Sequence, residues 1–237
     1  MPEAFLHKFQ DRFVLSPEER AGFLRVFGRE RRFEMRQDLV ASGSSLSYSN
    51  MIVDGLAARY KLLSNGRRQF TAIHVAGDFA DLQSFLLHRM EYGVTALTPC
   101  TAVTADHEAL QRLIEESGNI QRLLWMDTML EASIHQEWVV SMGRRSAVGR
   151  LAHLMCELFM RLKLVRRTDD LSFKLPLTQL ELADVLGLSI VHVNRVLSEL
   201  RRERLLTWTN HVIRIEDWEK LAEVAEFQPD YLSVHIL

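Results

Sequence analysis

Residues 178–202 carry two helix-start signals so close together that only a single turn fits between the helices they open. Thr178 and Glu181 stand three apart, the spacing at which hydroxyl and carboxylate cap each other's backbone N–H groups. Gly187 ends the first apolar run, because glycine enters the left-handed conformation at little steric cost. Ser189 opens a second helix two residues later. Leu182, Ala183, Leu186, Val193, Val196, Leu197 and Leu200 fill the angle between the two, and the small Ala183 permits close approach. The pattern predicts a helix-turn-helix. Ile190, Val191, Asn194, Arg195, Ser198 and Arg202 remain on the outer face of the second helix, whose N-terminal half is suited to a DNA major groove.

Leu205–Trp208 and Val212–Ile215 then flank Thr209-Asn210-His211, a tight hairpin in the position of a wing. Charge agrees with this reading. Arg144 to Ile215 holds 13 Lys and Arg against 7 Asp and Glu, a net of +6, while the rest of the chain carries −8. A basic block in an acidic chain suits a polyanion partner.

Upstream the texture differs. Ser16-Pro17 predicts a helix over 17–29 with Phe23, Val26 and Phe27 on one face. From Arg32 to Ala105 short strands alternate with turns at Asp54-Gly55, Asn65-Gly66 and Ala76-Gly77-Asp78, which predicts a small β-barrel or sandwich. Within it, Asp81–His88 reads as a short helix and Val94–Thr104 as one strand broken near Pro99. Asn119 is the expected cap of a long helix to Gly143, roughly 37 Å at 1.5 Å per residue. Ile120, Leu123, Leu130, Ile134 and Trp138 lie along one side, interrupted by Asp127, and pairing with a second copy is the simplest way to bury them. Ser146 caps a further helix to about Leu164, and Arg166–Asp170 reads as a polar loop.

A chain of 237 residues with 47% hydrophobic and 25% charged residues fits one to two folded domains. It has no 18-residue apolar run and no secretory signal, so a cytoplasmic location and no membrane partner are expected. Cys100 and Cys156 are too few for an iron–sulfur cluster or a disulfide framework.

The order of parts resembles the Crp/Fnr superfamily of bacterial transcription regulators over nearly the whole length. The resemblance rests on Gly55, Asn65-Gly66 and Ala76-Gly77-Asp78, the long helix, Gly149-Arg150-Leu151-Ala152, Thr178-x-x-Glu181, and Gly187-Leu188-Ser189 followed by Val193-x-Arg195. It implies an α+β fold: a cyclic-nucleotide-binding-like β-roll at 1–118, a dimerisation helix at 119–143 and a winged helix-turn-helix at 144–237. It also implies a homodimer on double-stranded DNA with an inverted-repeat operator, contact with RNA polymerase, and a small-molecule effector in some members. The expected DNA-facing set is Thr178, Gln179, Ser189, Ile190, Val191, His192, Asn194, Arg195, Ser198 and Arg202. Arg195 matches the family's arginine, which implies contact with a base at guanine O6 and N7, and His192 is assigned to phosphate or to packing.

Two departures matter. Val191 stands where the cyclic-AMP and anaerobic regulators carry a glutamate, and it cannot accept a hydrogen bond from cytosine. The cyclic-nucleotide binders show Gly-Glu-Leu and then Arg-Ser/Thr-Ala, whereas this chain has Ala80-Asp81-Leu82 and Glu91-Tyr92-Gly93, so cyclic AMP is not expected to bind. Asp81, Leu82, Arg89, His135 and Gln136 are the expected effector pocket, the last two by alignment with ligand-touching positions of the long helix. No cofactor is expected, although His74, His88 and His135 are the ligands available to a haem branch. The rival readings are a cupin-like metal enzyme, disfavoured because His74 is isolated, and an effector-binding signalling module without DNA binding, disfavoured by the helix-turn-helix and wing.

Overall fold

The computed structural model describes residues 2–64, 66 and 68–232. The chain forms two compact units, Met1–Glu131 and Ala132–Leu237, with the division inside one long helix.

The first unit runs α1 (Glu3–Phe9), α2 (Pro17–Arg25), β1 (Phe27–Phe33), β2 (Asp38–Val40), β3 (Tyr48–Asp54), β4 (Ala57–Leu62), β5 (Arg68–His74), α3 (Ser84–Leu87), β6 (Gly93–Ala96), β7 (Cys100–Asp106) and α4 (His107–Glu116). It ends in α5 (Gly118–Arg144), which continues into the second unit. The strands make a three-stranded sheet, β1-β7-β3, and a four-stranded sheet, β2-β6-β4-β5. Alternation along β7 explains the layers. Cys100 and Ala102 join a core with Phe33, Val40, Ile52, Ala57 and Val94 from both sheets. Val103 and Ala105 point the other way, into a core with Phe5, Phe9, Phe23, Leu110, Leu113, Ile120 and Leu123 from the helices. Gly77, at φ +85°, is required where α1 crosses the roll, because a Cβ there would lie 2.8 Å from the Ala4 carbonyl carbon.

Four local expectations are corrected. The helix begun at Pro17 stops at Arg25, because Phe27–Phe33 pairs with β7 from Ala105 to Cys100. The stretch 94–104 is two strands in different sheets, with β6 on β4 and β7 on β3. Only Ser84–Leu87 of the expected 81–88 helix is helical, and His88 ends it at φ +59°. Ser117, not Asn119, caps α5, since its Oγ accepts the Ile120 N–H at 3.3 Å. Asn119 donates to Glu19 instead. At the Asn65-Gly66 turn, Asn65 lies outside the described residues and Gly66 has φ +79°.

The second unit contains the rest of α5, α6 (Ala147–Leu164), β8 (Thr168–Asp169), β9 (Ser172–Lys174), α7 (Gln179–Leu186), α8 (Ile190–Arg202), β10 (Leu206–Thr209), β11 (Val212–Ile215) and α9 (Trp218–Ala225). Every residue of α6 from Leu151 to Leu162 is buried, because α8, α9 and β9 all pack on it. The segment read as a polar loop is part of a hairpin: β8 pairs with β9, and β9 pairs with β11, so the wing is the edge of a four-stranded sheet.

Candidate nucleic-acid interface and sensor core

The helix-turn-helix forms through its local signals. Thr178 Oγ1 accepts the Glu181 N–H at 3.2 Å, and Glu181 Oε2 accepts the Thr178 N–H at 2.8 Å. Gly187 closes α7 at φ +64°, and Ser189 Oγ accepts the His192 N–H at 3.2 Å. Leu182, Ala183, Leu186, Val193, Val196, Leu197 and Leu200 are buried between α7, α8 and α6.

The outer face of α8 is left uncovered. Val191 is 79% exposed and Ile190 43%. Asn194, Arg195, Ser198 and Arg202 are exposed and His192 is half-buried. Arg195 Nη2 donates to His192 Nε2 at 2.8 Å, and Ser198 Oγ donates to the Asn194 carbonyl at 2.8 Å. Thr178, Gln179 and Ser189 are exposed at the N-terminal ends of the two helices, where free N–H groups favour phosphate. Beyond α8, Asn210 and His211 both take positive φ, 51° and 61°, in the two-residue turn of the wing. Lys174 and Arg214 extend the basic surface along β9 and β11.

The same unit holds a buried polar post that the sequence reading missed. Glu157, fully buried on α6, accepts from Trp138 Nε1 at 3.1 Å, Arg161 Nη1 at 2.9 Å and Tyr231 Oη at 3.2 Å. Burial raises its carboxyl above the ordinary range despite the Arg161 charge. Three donors offset that burial.

The long helix uses its faces differently from the expectation. Ile120, Leu123, Ile134 and Trp138 are buried within their own chain, and Leu130 packs on the α1–α2 core. They are not on the free face. Trp125, 66% exposed, Met129, Ala132, Gln136 and Val139, 67% exposed, follow one another at spacings of 4, 3, 4 and 3 on the uncovered side. The signal was present but masked, because apolar residues occur on both sides of α5.

The expected effector residues differ in burial. Asp81 is fully buried and accepts the Asn50 N–H at 2.5 Å and Asn50 Nδ2 at 2.6 Å. Burial pushes its carboxyl up to about 7. Leu82 is in the helix-side core, Arg89 is exposed, His135 is half-buried and Gln136 is exposed. The buried cations of the first unit are others. Arg59 on β4 donates to the Ala80 carbonyl at 2.8 Å and pairs with Glu131 of α5 at 2.7 Å. Lys8 of α1 pairs with Asp78 at 2.8 Å and with Asp127 of α5 at 3.0 Å. Asp127, which breaks the apolar stripe, was the one visible sign of that pair. Among the described residues no group of three His, Cys, Asp or Glu side chains is placed to hold a metal ion. No helix among them is long and apolar enough to cross a membrane.

Comparison with known proteins agrees with this architecture. The cyclic nucleotide-binding domain matches residues 30–117 and the Crp-like helix-turn-helix domain residues 149–224. The transcriptional activator protein FnrL of Cereibacter sphaeroides is 30% identical over 201 residues, 82% of this chain and 79% of the relative. The nitrogen fixation regulation protein FixK of Bradyrhizobium diazoefficiens is 30% identical over 151 residues, 64% of this chain and 62% of the relative. The structure of FixK2 from Bradyrhizobium japonicum superposes with a TM-score of 0.73 at 23% identity, covering 83% of this chain and 96% of that one. With its β-roll, long helix and winged helix-turn-helix in the shared order, the chain belongs to the Crp/Fnr superfamily of DNA-binding transcription regulators.

Proposed function

We propose that the protein is a cytoplasmic homodimer that reads an inverted-repeat operator, one half-site per α8, without cyclic AMP. The observation that carries this reading is the division of α8: Val193, Val196 and Leu200 are sealed in the core while Val191, Asn194 and Arg195 face outward within the net-positive stretch 144–215. Dimerisation is supported by the exposed series from Trp125 to Val139, whose 4-3 spacing is that of a two-stranded seam. Two-fold symmetry then requires half-sites roughly 34–36 Å apart.

The sensor core does not fit a cyclic phosphate. Asp81 is sealed against Asn50, Arg59 is neutralised by Glu131, and Glu91 is exposed where a guanidinium is needed. Activation through RNA polymerase is supported by the similarity to FnrL, which is named a transcriptional activator.

The test is selection of sites from a random duplex pool, followed by sedimentation of the complex. We expect a palindrome bound by two chains, with affinity that falls steeply with salt and does not change with cyclic AMP. One chain per site, or equal affinity for random DNA, overturns the reading.

A further inference from the structure

We infer that His192 is a positioning residue that holds Arg195 ready to read a base, a role that rests on the DNA-reading face proposed above. The two residues lie one turn apart on α8, and Arg195 Nη2 donates to His192 Nε2 at 2.8 Å. An imidazole nitrogen accepts only when unprotonated, so the ring proton sits on Nδ1. The contact uses one of the five guanidinium N–H groups and leaves the others for the guanine O6 and N7 edge.

The chemistry of the partner matters. A surface arginine is usually steadied by a carboxylate, which would cancel the charge that DNA requires. Arg195 has no carboxylate within ion-pair distance among the described residues. A neutral imidazole restricts the arginine while its positive charge stays intact. The neighbours do not compete, since Ser198 turns its hydroxyl proton back to the Asn194 carbonyl. His192 is itself held, because its backbone N–H is capped by Ser189 and its side chain is half-buried. The cap, the histidine and the arginine thus form one chain of contacts from the turn to the reading face.

The experiment uses the full-length protein and an operator selected from a random duplex pool, with each base pair near Arg195 varied in turn. Discrimination is the affinity ratio of the selected base pair to its replacements. His192→Ala is expected to lower that ratio by about tenfold, the scale of one hydrogen bond, while affinity for random DNA changes little. His192→Gln, which restores an acceptor, is expected to recover part of the ratio. In an Arg195→Ala background, His192→Ala is expected to have no further effect.

A uniform loss across all sequences with a shallower salt dependence would make His192 a phosphate contact and overturn the inference. Additive effects of the two substitutions would overturn it as well. So would unchanged discrimination in Arg195→Ala. If the parent protein itself shows no sequence preference, the DNA-reading proposal fails too, which separates the two failures. Helicity of each variant by circular dichroism guards against reading misfolding as lost contact.

Discussion

Lys8 and Asp127 lie 119 positions apart and meet as a buried ion pair at 3.0 Å, joining the first helix of the chain to its longest. Asp78 completes the group from the turn after β5, at 2.8 Å from the same ammonium. The arrangement turns an apparent defect in an apolar helix into the point at which α1 is fastened. Removing the cation leaves two buried carboxylates facing each other. Lys8→Ala should therefore lower unfolding free energy by about 3–5 kcal/mol, as for a buried pair stripped of one partner. Urea denaturation followed by Trp fluorescence measures it. A loss under about 1 kcal/mol would mean that the pair is solvated, as surface pairs are.

The Asp81 carboxyl, pushed up to about 7 by burial, makes the first unit sensitive to pH. Asp127, also buried, is pushed up to about 6. Both hold a proton more tightly folded than unfolded, where a carboxyl titrates near 4. Their contribution to stability is thus greatest below about pH 4 and declines as pH rises to about 7. Asp81→Asn should remove most of the decline between about pH 6 and 7, where Asp127 is already at least half ionised and contributes less. Melts of parent and variant across that window give a difference curve, and a flat one contradicts the assignment.

The seam proposed on α5 separates two classes of substitution. Trp125→Glu and Val139→Glu place charges on the exposed series and should yield folded monomers by sedimentation. Their affinity for a palindrome should fall by about 100-fold or more, because the second half-site is no longer tethered. Leu123→Ala lies in the core of the same helix and should instead lower stability by about 2–5 kcal/mol while leaving the native protein dimeric. Dimers in both glutamate variants would place the seam elsewhere.

Val191 presents an apolar side chain, 79% exposed, to whatever α8 meets. The major-groove feature that suits it is the thymine methyl. Replacing thymines of the selected operator one at a time by deoxyuridine removes only that methyl. One position should lose about 0.8 kcal/mol, near fourfold in affinity, the worth of one buried methylene-sized group. That loss should vanish in Val191→Ala. Equal sensitivity of parent and variant at every position would show that Val191 touches no methyl.

How much was legible in advance depended on the range of the interactions. The helix-turn-helix was visible because Thr178, Glu181, Gly187 and Ser189 act on backbone groups within three or four residues of themselves. The wing was visible for the same reason, with its turn residues adjacent to the strands they join. The β-roll was visible as a succession of strands, but not in its pairing. Phe27 continues a helical pattern locally and leaves it only because β7, more than 70 residues later, offers a strand edge. The exposed residues of α8 were legible because the opposite face of that helix is plainly apolar.

On α5 the same reasoning chose a face that is buried within the chain itself. Ile120, Leu123, Ile134 and Trp138 are as apolar as Trp125, Met129 and Val139, and periodicity cannot rank two stripes on one helix. The decision belongs to what packs on each side: the α1–α2 core takes Ile120 and Leu123, and the Glu157 post takes Trp138. Likewise nothing local marks Lys8 as the partner of Asp127, or Arg59 as that of Glu131. The sequence by itself determined the helix starts, the turns and the family of folds, because those follow from short-range capping, φ preferences and alternation. Tertiary structure alone decided which apolar face is buried and which buried charges meet, because burial and Coulomb attraction depend on distance in space, not along the chain.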